Sequence, residues 1–171
     1  MWGKTKNYPI ADSFEDLADI AIESMKNSYG LHMVCGPIST GGTGNLRLNS
    51  EVMDAVILGL QREGKELFVQ MPYEEGLHRL ADEWREAGNT GYCTPILEVF
   101  YDAIFESGYL AEGWFVPGWE KSRGACWERN KFLGMKCEVH DLTLEEVCKY
   151  IKAEFSTKKA NRLIKKLNAS L

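Results

Sequence analysis

The sequence predicts an α/β protein in which a parallel sheet of about four or five strands is flanked by helices. Short apolar runs alternate with longer stretches of helical periodicity. Residues 31 to 71 also run in the order strand, glycine loop, helix, strand. That order is the unit of a parallel sheet, because a crossover between parallel strands is normally made by a helix. The expected architecture is Rossmann-like, of the flavodoxin-like kind.

The elements follow in turn. Ser13 to Lys26 reads as a helix, with Ser13 and Asp16 in a capping-box pattern and Phe14, Leu17, Ala21 and Met25 near one face. Leu31 to Ile38 is an apolar strand ending in Gly-Pro, followed by the glycine-rich loop Ser39 to Asn45. A helix is predicted from about Glu51 to Arg62, stopped by Gly64, and Leu67 to Met71 reads as the second strand. Leu77 to Ala87 is expected as a short helix in an insertion. Thr94-Pro95 opens another helix, with a hydroxyl cap and proline in the first turn. Tyr109 to Val116 holds a third strand, Arg123 to Leu133 a helix, and Lys136 to His140 a fourth strand. Thr143 and Glu146 cap a helix that reaches about Phe155. In the last segment Lys158, Lys159, Arg162, Lys165 and Lys166 surround Leu163, Ile164 and Leu167. This pattern suits a solvated helix docking a narrow apolar stripe, with a functional basic tail as the alternative.

The chain is expected to be a single domain of 171 residues. A helical extension occupies residues 1–30, the core 31–140 and the C-terminal helices 141–171. Apolar residues at 44% and charged residues at 26% exclude a disordered chain, and a net charge of −5 argues against duplex nucleic acid. No apolar run approaches the length of a membrane span, so no membrane partner is expected. Five cysteines without a C-x-x-C pair, and no signal peptide, point to reduced thiols and a cytoplasmic protein. His32, His78 and His140 share no ligand spacing with the cysteines, so neither a metal nor another cofactor is expected.

Two segments end strands with unusual chemistry, and in an open parallel sheet ligands bind beyond the carboxyl ends of the strands. The first runs Gly36, Pro37, Ile38, Ser39, Thr40, Gly41, Gly42. Its glycines let backbone approach a ligand, and its hydroxyls and amides can hold an anion or a sugar. The second is Pro117-Gly118-Trp119, then Ser122, Gly124-Ala125 and Glu128. In a helix beginning near Ser122, Gly124 and Glu128 stand four apart on one face, leaving a hollow beside the carboxylate. Such a carboxylate can meet an anomeric carbon that turns cationic as a base departs. Spacing alone favours an ordinary helix-surface acid at Glu128.

Together the two segments resemble the nucleoside 2-deoxyribosyltransferase superfamily. They are most similar to a branch of bacterial and phage domains typified by G-P-I-S and P-G-W-x-x-S-x-G-A-x-x-E, over roughly residues 31 to 140. The resemblance implies a nucleoside or nucleotide pocket, with Glu128 as nucleophile toward the deoxyribosyl group and another base or water as acceptor. It implies that Ser122 helps grip a 5′-phosphate, and that Gly36, Ser39, Gly41 and Gly42 cradle sugar and phosphate. Asp102 is implied as the acid that assists the departing base, although that branch tends to carry Cys-Asp where this chain has Ala111-Glu112. Trp119 leads Trp114, Trp127 and Tyr73 as a candidate to stack on the base, and Arg47 follows the glycine loop. The expected function is N-glycosidic cleavage or deoxyribosyl transfer on a (deoxy)nucleoside or its monophosphate. The alternative is a non-catalytic nucleotide-binding or sensing module with the same pocket. A homo-oligomer, dimeric or higher, is implied as well.

Overall fold

The computed structural model describes residues 9–39 and 41–171. Residues 1–8 of the expected N-terminal extension and Thr40 of the glycine loop lie outside the described residues. The chain forms an α/β structure with four parallel strands and seven α-helices among the described residues. It divides into two compact units, one of residues 1–29 and 70–110, the other of residues 30–69 and 111–171.

In the first unit, α1 (Phe14–Met25) begins at Ser13, whose hydroxyl accepts the Asp16 amide as the sequence predicts. After a 3₁₀ turn at Met71–Tyr73, α3 (Glu74–Glu86) sets Gly76 against α1. A Cβ at Gly76 would stand 3.1 Å from the Leu17 side chain. The Arg79 guanidinium donates to the Ala11 carbonyl, tying α3 to the segment before α1. The helix expected after Thr94-Pro95 is present, but its first part, Ile96–Tyr101, is π-helical before α4 (Asp102–Glu106).

The second unit holds the sheet. The strands β1 (Leu31–Cys35), β2 (Leu67–Phe68), β3 (Leu110–Phe115) and β4 (Glu138–Asp141) lie in the order β2-β1-β3-β4. This order is flavodoxin-like, and its topological switch falls between β1 and β3, where the Val116 amide donates to the Cys35 carbonyl at 2.9 Å. Helix α2 (Leu46–Arg62) starts earlier than its apolar periodicity suggests, because the Asn45 side chain caps it by accepting the Leu48 amide. Helix α6 (Leu144–Glu154) opens with the expected Thr143–Glu146 capping box. It packs its Tyr150 ring against Gly59 of α2, where any side chain would collide with the ring. Helix α5 (Arg123–Gly134) lies on the sheet face that carries Gly113 and Phe115; a Cβ at Gly113 would come within 2.7 Å of Phe132. Helix α7 (Thr157–Asn168) buries Ala160, Leu163 and Leu167 and leaves its lysines outside, as its stripe predicts. No helix among the described residues is long and apolar enough to cross a membrane.

Candidate functional site

Both sequence segments that end strands arrive at the switch point, one after β1 and the other after β3. Gly41 and Gly42 turn the first loop in the left-handed region, with φ of 72° and 57°. Both are also sterically compelled to be glycine. A Cβ at Gly41 would lie 2.7 Å from the Lys121 carbonyl oxygen, and one at Gly42 would lie 2.6 Å from Oδ1 of Asn49. The glycine loop therefore rests directly on the turn that leads into α5.

Asn49, in the first turns of α2, holds that loop in shape. Its side chain is 4% exposed. It donates to the carbonyls of Ile38 (3.0 Å) and Gly41 (3.2 Å), and accepts from the amide (2.9 Å) and hydroxyl (2.7 Å) of Thr43. Every hydrogen-bonding direction of the amide is used. The sequence reading missed this residue, because an asparagine beside an apolar stripe looks like part of a solvated face.

On the other side, Gly118 has φ of 88° and leads into a 3₁₀ turn at Trp119–Lys121. Ser122 is 4% exposed and caps α5, its hydroxyl oxygen accepting the Ala125 amide at 3.4 Å. Capping uses an oxygen lone pair, so the hydroxyl hydrogen is still able to donate. Gly124 and Glu128 follow one turn apart on α5. Glu128 is buried, at 6% exposure. The Cys35 thiol, at the end of β1, lies beside its carboxylate. Burial first, and then the Glu128 charge, push the Cys35 thiol well above its ordinary range, while Arg129 opposes the shift. The carboxylate thus faces the strand end that begins the Gly36–Gly42 loop, rather than bulk water.

Trp119 is framed by protein. The Arg129 guanidinium lies 4.4 Å from its ring centre, and Phe115 meets it edge-on at 5.6 Å. Arg129 is itself fixed by two hydrogen bonds to Asp141 of β4, at 2.7 and 2.9 Å. Of the other aromatic candidates, Trp127 lies beside the Lys131 ammonium, Trp114 stacks on His140, and Tyr73 donates to the Ser24 hydroxyl in the first unit. Gly36 packs against Val116 and Met53. Pro37, Gly42, Asn49, Val52, Met53, Val116 and Pro117, with Leu167 of α7, line a small apolar hollow. Arg47 is exposed and 3.4 Å from Glu51. Asp102 begins α4 in the first unit, whereas Glu128 belongs to the second.

One further group was invisible to sequence spacing. Glu112, Glu138 and His140, together with His32, meet on the sheet face opposite α5, and the first three offer ligand atoms all within 4.8 Å of one another. Compared with protein-family models, curated proteins and solved structures, the chain matches none of them.

Proposed function

We propose that the chain cleaves or transfers the N-glycosidic bond of a (deoxy)nucleoside or nucleoside monophosphate, with Glu128 as nucleophile. The observation that carries this reading is the burial of the Glu128 carboxylate beside the end of β1, where the glycine loop begins. A sugar whose C1 lies against that carboxylate loses its base as the glycosidic bond breaks. The glutamate oxygen then either forms a covalent glycosyl ester or stabilises the cationic carbon until an acceptor attacks. The acceptor is water in hydrolysis and a second base in transfer. Glycine amides of the loop, the Ser122 hydroxyl and the first turn of α5 supply donors suited to the sugar hydroxyls and a 5′-phosphate.

A second reading is a nucleotide-binding module without turnover, for which the same loop donors and the apolar hollow beside them suffice. Incubation with nucleosides and their 5′-monophosphates, followed by chromatography of free base, separates the two. Base release is expected from the wild type and is expected to fall by about 10²-fold or more in Glu128→Gln, which keeps the side chain's size. Equal release by both proteins removes Glu128 from the mechanism. A rise in melting temperature with a nucleotide but no released base selects the binding module.

A further inference from the structure

On the sheet face away from α5, the parallel register sets Glu112 opposite Glu138 and Trp114 opposite His140. Side chains two apart on a strand share a face, so Glu112, Glu138 and His140 project together from two hydrogen-bonded strands. Oε2 of Glu112 lies 2.8 Å from Nε2 of His140, and Oε2 of Glu138 lies 3.6 Å from that same nitrogen. Bonds of about 2.0–2.2 Å to a tetrahedral zinc ion would set neighbouring ligand atoms roughly 3.3 Å apart. Small rotations of the three side chains bring them to that spacing. The His140 ring is already oriented, lying flat on Trp114 with centres 4.1 Å apart and planes 18° apart.

The hydrogen-bonding balance points the same way. Trp114 donates its indole N–H to Nδ1 of His32 at 3.1 Å, and an indole can only donate, so that nitrogen must be an acceptor. Glu112 stands 3.2 Å from the same Nδ1 and can draw no proton from it. Two carboxylates are left converging on a single imidazole nitrogen, and among the described residues neither is paired with a lysine or an arginine. A divalent cation satisfies both carboxylates at once and takes the His140 lone pair, with the ring hydrogen carried on Nδ1.

We propose that Glu112, Glu138 and His140 form a site for a first-row divalent cation, zinc foremost, with water completing the shell on the side of the exposed Glu138. One imidazole with two carboxylates suits such an ion better than calcium or magnesium, which prefer all-oxygen shells. The site lies on the opposite sheet face from Glu128, so it stands or falls independently of the N-glycosidic reading.

Untagged full-length protein, stripped with a chelator, is titrated with zinc sulfate by calorimetry and with cobalt(II) by absorption spectroscopy. One equivalent should bind, with ligand-field bands, no thiolate-to-cobalt charge-transfer band, and a change in tryptophan fluorescence as His140 shifts on Trp114. Glu138→Gln and His140→Gln should each weaken zinc binding by about 10-fold or more. The Glu138 side chain is 77% exposed, so that variant is expected to keep its circular dichroism and melting temperature. The proposal is overturned if the wild type binds no zinc, if both variants bind as tightly as the wild type, or if a thiolate band shows that cysteines hold the metal.

Discussion

Glu128 and Glu74 are both carboxylates drawn out of water, and the protein treats them differently. Glu128 sits on a helix whose entry turn is braced by the glycine loop, and its neighbour at the end of β1 is the Cys35 thiol. Glu74 opens α3 in the first unit, with the Tyr101 hydroxyl 3.3 Å from its Oε1 and His78 at 3.7 Å. Burial pushes Glu74 up to about 7, and the Tyr101 hydrogen bond only partly offsets that. A sequence motif marked the first of these acids and nothing local marked the second. The contrast separates two ways of keeping an acid from water. One is a strand end and helix that enclose the carboxylate behind a hydrogen-bonded loop, and the other is burial that leaves the proton in place.

Asn49→Ala tests the framework most severely. It strands the Thr43 amide and the carbonyls of Ile38 and Gly41 in a half-buried turn. A fully buried orphan costs about 1–3 kcal/mol and these three are half-buried, so a loss of about 3 kcal/mol is expected, read as a lower denaturant midpoint with an unchanged slope. The loss should be nearly the same at pH 5 and pH 8. An unaltered midpoint would show that the loop holds its shape without this amide.

Gly41→Ala attacks the same framework from the other side. The new methyl needs a left-handed backbone and would press on the Lys121 carbonyl, 2.7 Å away. A cost of about 2–3 kcal/mol is expected, again independent of pH. The same variant should lose nucleotide-dependent thermal stabilisation if the loop is where a ligand binds. A stable variant with full ligand response would dissociate the glycine loop from the site.

These two residues also show what the sequence disclosed and what it withheld. Gly41, Gly42, Ser122 and the Thr143–Glu146 box were legible because turns and caps are local, and each needs a particular residue type within three or four positions. The parallel sheet was legible because strand, loop, helix and strand follow one another along residues 31 to 71, and a helical crossover implies parallel pairing. Asn49 was hidden because its partners, three backbone groups and the Thr43 hydroxyl, lie six to eleven residues away, and their geometry exists only after the loop folds. The beginning of α2 was hidden because its cap, Asn45, lies inside the glycine-rich stretch. The group at Glu112, Glu138 and His140 depends on the register of β3 against β4, which no single window of sequence contains. Glu74 was hidden because desolvation comes from whatever packs around a residue, and its own segment reads as the polar start of a helix.

The smallest effect concerns Glu74, and its sign is the informative part. The folded protein keeps this proton up to about pH 7, whereas the unfolded chain releases it near the ordinary value of 4.5. Within that window the folded state binds more protons, so stability is highest below it and declines as pH rises through it. The contribution is at most about 3 kcal/mol. Glu74→Gln imitates the protonated acid at every pH. It should leave stability almost unchanged at pH 4.5, flatten the fall between pH 5 and 7, and make the variant more stable than the wild type by about 1–2 kcal/mol at pH 8. Melting temperatures of the two proteins across that range decide the matter. Parallel curves would place Glu74 with the ordinary surface acids and leave Glu128 as the acid whose surroundings set it apart.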